Sequence, residues 1–288
     1  MRLFHFSGTS HTKPAWTFAP GGIVWRLFVS DDRVIVGEAR WQEEKRVEFF
    51  GVDELTGLLL WRVASLPDPW WTGLEGLHRG VVLLHGFAEP DMPEHLGVWA
   101  CDVRDGRRLW EAPDLTFWFA AEGRVYGVRN GFDRRLGVSL DLTSGAVAEE
   151  FGESLESLYA LRQRSAESEI PSDVQFPVLL EAAGLPATVA ERISRMVPHD
   201  RRAGEIEVIQ RDDRVVVSFH RRLGAETDAE PRLENRLVML DARTRKVLFE
   251  DVIQHDARAA VPDSFFVKGD QVLFVKDGST LTALSLHA

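Results

Sequence analysis

The chain has 288 residues, 44% of them hydrophobic and 27% charged, a globular composition long enough to bury roughly three quarters of its unfolded-state surface. Its uncharged apolar runs are strand-sized, short of the roughly 20 residues of a membrane helix, and the opening MRLFHFSGTSHTKP lacks an apolar stretch before a small-residue cleavage site. With 34 basic against 45 acidic residues, a net charge of −11 and no basic patch, nucleic-acid and membrane partners are not expected. Cys101 is a single cysteine with no internal partner, so the expected compartment is the cytoplasm.

From the N-terminus, AWTFA at Ala15–Ala19 reads as an isolated strand. It is followed by a unit of apolar strand, tight polar turn and apolar strand that recurs five times, at Ile23–Glu38, Trp71–His85, Leu115–Val128, Ile206–Phe219 and Ser264–Lys276. The first four copies continue into a third strand that ends on an aspartate and a second turn: VDELTG, CDVRDG, LDLTSG and LDARTR. Asp53, Asp102, Asp141 and Asp241 are placed to accept turn amides, and Gly57, Gly106 and Gly145 suit a left-handed backbone, whereas the fourth copy has Arg245. A fourth strand carries Trp61, Trp110 and Phe249 at matched positions, with Glu149 in the third copy.

The aspartates lie 49, 39 and 100 residues apart, and the first two spacings fit a propeller blade of roughly 40 to 50 residues. The long gap holds no further aspartate turn but does hold Val189, Ile193, Met196 and Val197 at helical spacing after Pro186. The last copy supplies only a third strand, and AWTFA, with Trp16 where its counterparts have Trp61 and Trp110, is the missing fourth. The expected fold is therefore all-β: one domain, residues 1–288, forming a five-bladed propeller of four-stranded antiparallel blades closed by the N-terminal strand. The blades are expected at 20–66, 67–113, 114–151, 205–256 and 257–288 plus 1–19, with a partly helical insertion at 152–204.

GVDELTGLLLW from Gly51 and ACDVRDGRRLW from Ala100 resemble the tryptophan-docking repeat of the quinoprotein (PQQ-like, WD-like) propellers. The resemblance implies that Trp61 and Trp110 pack between blades, and it implies a fold and no cofactor. The quinoprotein dehydrogenases are exported and place a vicinal cysteine pair near the quinone, which Cys101 alone does not reproduce. The segment Trp70–Gly97 also resembles an uncharacterised bacterial family of unknown function, which implies no reaction.

In such a blade the A–B and C–D turns fall at one end and the B–C loops and D–A crossovers at the other. The first set is short in every copy; the second includes Ala39–Arg46, Gly86–Leu96, Arg221–Arg236 and the insertion, so binding residues are expected at the second end. Trp70, Trp71, Glu75, His85, Glu89, Asp91 and His95 are the candidates there, as an aromatic platform with carboxylates and imidazoles, as a divalent metal site, or as blade-packing residues beside a solvated acidic loop. No HExxH or calcium-loop motif accompanies His85 and His95, so no metal and no cofactor are assigned; His78 belongs to the opposite end. The expected role is a non-catalytic binding or scaffold module for an unknown protein or small-molecule ligand. The alternative is a hydrolase or lyase of a small or sugar-like substrate using Glu75, Asp91, His85 or His95; no catalytic residue is assigned.

Overall fold

The computed structural model describes residues 12–63, 66–90, 92–131, 134–153, 155–165, 171–224 and 232–287. Their strands form five antiparallel sheets of the β-propeller blade type, divided between two compact units. The first strand, β1 (Trp16–Phe18), belongs with the end of the chain. Pro20–Ser172 forms the first unit, with three blades in simple up-and-down order. These are β2 (Ile23–Val29), β3 (Val34–Trp41), β4 (Arg46–Asp53) and β5 (Leu59–Val63); β6 (Thr72–His78), β7 (Val81–Phe87), β8 (His95–Asp102) and β9 (Arg108–Ala112); and β10 (Leu115–Ala121), β11 (Arg124–Asn130), β12 (Arg135–Asp141) and β13 (Val147–Gly152).

Blades stack face to face, so their central strands are apolar on both sides. In β7, Leu84 and Val82 pack against the first blade with Phe49 and Trp61, while Val81 and Leu83 pack against Leu115 and Val138 of the third. Each junction is closed by an indole. Trp61 Nε1 donates to Val103 O in the second blade at 2.7 Å, and Trp110 Nε1 to Leu142 O in the third at 2.8 Å. The rings lie over Gly106 and Gly145, both at φ +69°, where a Cβ would fall 2.7 Å from Trp61 and 2.6 Å from Trp110. The aspartates fix the turn in each repeat: Asp53 Oδ1 accepts from Thr56 N and Oγ1, Asp102 Oδ1 from Arg104 N, and Asp241 Oδ1 from Thr244 N and Oγ1. The hydrogen bonds from Ser144 and Thr143 hold the Asp141 carboxyl at about 2. Glu149 in β13 is exposed, and Arg245 takes the left-handed position at φ 60°. Thus β13 carries no indole at the matched position, and the turn that follows Asp241 carries no glycine.

After β13 the chain forms α1 (Glu156–Ser165), then β14 (Val174–Gln175), β15 (Val178–Leu179) and α2 (Ala187–Met196). The fourth blade follows as β16 (Arg202–Arg211), β17 (Arg214–Arg222), β18 (Leu233–Asp241) and β19 (Val247–Ala257), and the fifth as β20 (Phe265–Lys268), β21 (Gln271–Lys276) and β22 (Thr280–Ser285). As expected, β1 completes the fifth blade by pairing with β22, Trp16 opposite Ala283 and Phe18 opposite Leu281, with Trp16 only 8% exposed.

The insertion differs from expectation. It is not free of strands, because β14 pairs with β20 and β15 with β16, giving the fifth and fourth blades five strands each instead of four. Two-residue strands carry no readable period, and these two cover edges that A strands otherwise leave open. The insertion also holds two helices. Leu155, Leu158 and Leu161 of and before α1 cover Phe119, Tyr126 and Phe151 of the third blade. Val189 and Ile193 of α2, with Val197, cover Val208, Val215, Val217 and Phe219 of the fourth. In each case the helix lies on the face turned away from the blade's neighbour in its own unit. The run SAESE from Ser165 falls largely outside the described residues. The connection expected at Ala39–Arg46 is also shorter, since β3 and β4 run on and leave only Gln42–Lys45 as turn. No helix among the described residues is long and apolar enough to cross a membrane.

Replacing Trp16 by alanine should lower unfolding free energy by about 3 to 5 kcal/mol, the range for a buried aromatic, as read by urea denaturation. Gly106→Ala should cost clearly more than Gly152→Ala. Gly152 also has positive φ, +66°, but nothing lies within 4 Å of its would-be Cβ, so only the backbone penalty of about 1 to 2 kcal/mol applies there. Equal costs would show that Trp61 does not rest on that turn.

Candidate functional site: a carboxylate and two stacked imidazoles

The second blade departs from regular pairing three times, and the departures between β6 and β7 and between β7 and β8 serve one cluster. In β6, Leu74 faces Leu84 and Gly76 faces Leu83, so Glu75 is the extra residue of a bulge. In β8, Val98 faces His85 and Leu96 faces Gly86, so Gly97, at φ +88°, is extra and brings His95 opposite Phe87. Gly73, across from His85, leaves room for the ring: a Cβ there would fall 2.6 Å from it. The same A-strand bulge sets Trp25 apart in β2 and Trp118 in β10, a recurrence that the apolar pattern did not reveal.

Glu75 Oε2 consequently lies 2.8 Å from His85 Nδ1 and 2.9 Å from His95 Nδ1. The imidazoles stack, 3.6 Å between centroids and 9° from parallel. His95 Nδ1 makes an aligned hydrogen bond to the carboxylate, whereas His85, 4% exposed, approaches the same oxygen off-line and its Nδ1 has no hydrogen-bond partner. Burial pushes the Glu75 carboxyl up, but the two imidazoles outweigh it and hold the group below its usual range. Burial, then repulsion by His85, depresses the His95 imidazole, against the pull of Glu75. At neutral pH the cluster is an anionic carboxylate beside a neutral His95.

An aromatic wall continues from it. Phe87 stands edge-on to His85 and to His95, each at 5.1 Å, Trp71 edge-on to Phe87 at 5.7 Å, and Trp70 meets Trp71 at 6.4 Å. Asp68 Oδ1 accepts from the amides of both tryptophans at 2.8 and 2.7 Å. The Arg40 guanidinium lies over the rings of Trp70, at 5.0 Å, and of the exposed Trp25, at 5.7 Å. It is held by Glu38, itself 1% exposed and accepting from Leu74 N at 2.7 Å.

The structure therefore joins Glu75, His85, His95, Trp70 and Trp71, and adds Phe87, Arg40 and Trp25. Glu89 sits exposed on the loop Ala88–Glu94, which closes through Ala88 N to Glu94 O; Asp91 lies outside the described residues. Glu43, Glu44 and Lys45 occupy an exposed turn. At the opposite end of β6 and β7 a cleft of about 360 Å³ is lined by Asp32, His78 and Arg79. The buried Cys101 thiol is pushed up to about 11, which removes it as a nucleophile at neutral pH.

Residues 29–110 match a domain of unknown function, DUF4905. The match contains the whole cluster and the Trp70–Gly97 segment. No curated protein sequence matches the chain. Solved structures similar to it are β-propellers. One is BamB from Moraxella catarrhalis, 10% identical, covering 94% of this chain and 88% of that one at a TM-score of 0.32. Another is the C-terminal WD40 domain of Sif2, 6% identical over 95% and 98% at 0.34. A third is the quinohemoprotein alcohol dehydrogenase ADHIIG from Pseudomonas putida HK5, 11% identical over 85% and 44% at 0.31. At such identities these similarities concern the fold alone.

Because folding lowers the affinity of Glu75 and His95 for protons, both contribute stability that is complete above their unfolded values, 4.5 and 6.5, and is lost on acidification. In chelator-treated protein, His95 should titrate below 6.5 by NMR, and lower still in Glu75→Gln, which removes the only attraction among its causes. An upward movement in that variant would contradict the assigned contact.

Proposed function

We propose that the chain is a non-catalytic binding module whose contact surface is the loop end of the first and second blades, from Trp25 and Arg40 of the first through Trp70 and Trp71 to His95 of the second. The observation that carries this reading is the fixing of the indoles before any ligand arrives: Asp68 holds their backbone and Arg40 is inserted between Trp25 and Trp70. Rigid aromatic groups contribute contact area at little entropic cost, and the propeller fold is compatible with binding and scaffold roles. The partner is a protein or small molecule with an apolar or flat face, met in the cytoplasm; the net charge of −11 disfavours nucleic acid and anionic membranes.

A second reading is favoured by the convergence of Glu75, His85 and His95: a hydrolase or lyase of a small or sugar-like substrate, with the carboxylate and an imidazole in acid–base roles. Titration with panels of oligosaccharides and short peptides, followed by tryptophan fluorescence, separates the two. Binding that saturates and is lost in the Trp70→Ala, Trp71→Ala double variant, with no turnover of chromogenic glycosides or esters, supports the module. Turnover abolished by Glu75→Gln would replace it with the enzyme.

A further inference from the structure

We propose that Glu75, His85 and His95 form a site for one divalent transition-metal ion of the zinc class. The inference concerns the cluster alone and does not depend on what the indole surface binds. Two imidazole nitrogens and one carboxylate oxygen are a donor set that zinc accepts, and three protein ligands leave a further position open. The ligating atoms already lie within 4.8 Å of one another.

The decisive feature is the His85 nitrogen. It is buried, lies 2.8 Å from an anionic oxygen, and is out of line for a hydrogen bond. If it carries a proton, the proton is misdirected; if it carries a lone pair, two lone pairs face each other in a site with little water. A cation between them removes the conflict in the second case and completes the coordination of both atoms.

Seating the ion requires a modest opening. Ligands about 2.0 to 2.2 Å from a tetrahedral ion are about 3.3 to 3.6 Å apart, against the present 2.8 and 2.9 Å. The stacked rings must also turn so that both nitrogens point at one centre. His95 is the residue free to do this: it begins β8 at the mouth of the Ala88–Glu94 loop, and its side chain is 34% exposed. His85 and Glu75 are set by the bulge and by Gly73 and stay in place. Phe87 walls the site from one side, as apolar surroundings of a metal site do.

The test uses the full chain, stripped with a chelator and titrated with zinc by calorimetry and by competition against a chromophoric zinc indicator. One ion per chain with micromolar or tighter affinity is expected, and cobalt(II) should give the visible absorption of a low-coordinate nitrogen–oxygen site. Affinity should fall about tenfold or more in each of His95→Ala and Glu75→Gln, and remain unchanged in His255→Ala, which alters an exposed histidine paired with Asp277. His95→Ala is the deciding variant, because its half-exposed position leaves the core intact and circular dichroism will show it folded. Failure to bind zinc in the wild-type chain, or binding that His95→Ala and Glu75→Gln leave undiminished, overturns the proposal.

Discussion

The packing of an indole onto a glycine of the next blade organises the first unit. A tryptophan at the outer strand of one blade crosses to the next, donates to a carbonyl there, and lies on a turn whose backbone is left-handed. Both requirements fall on the same residue: only glycine accepts the conformation without strain, and only a residue without Cβ admits the ring. The aspartate four residues earlier holds the turn that serves as a platform. Sheet stacking, strand register and the separation of the two blade ends all follow from a joint that tolerates little sliding.

The third and fourth blades each cover apolar surface by a second means. Glu149 replaces the indole and Arg245 the glycine, and between them the sequence inserts two helices, each of which hides a sheet face with its own leucines, valines or isoleucine. Each of these helices has ten residues. The small strands β14 and β15 do the corresponding work for hydrogen bonding at sheet edges.

Much of this was legible in the sequence because it repeats. The aspartate turns, the matched Trp61 and Trp110, and the likeness of AWTFA to the outer strands identified blades and the terminal pairing from local pattern alone. The helix α2 was readable because Val189, Ile193 and Val197 mark one face, whereas α1 presents its apolar contacts among charged and polar residues and gave no comparable signal. The site was half legible. Residue type and loop placement pointed to Trp70, Trp71, Glu75, His85 and His95, but what joins them is a pair of bulges, and one extra residue in a strand leaves no periodic trace. Arg40 and Phe87 escaped for the same reason, since their partners are set by register and not by sequence distance. Glu89 was drawn in by its loop, which is exposed and separate from the wall of rings.

The pairing of β1 with β22 places the first strand of the described residues beside the last. During synthesis the three blades of the first unit have all their strands well before the fifth blade has its own, and β1 lacks its partner strand until β22 has been made. Contacts of such long sequence separation are slow to form, and an apolar strand edge held open for that time is where misassociation begins. A chain that lacks β22 leaves Trp16 without its opposite Ala283 and the fifth sheet without the strand that joins β21 to β1.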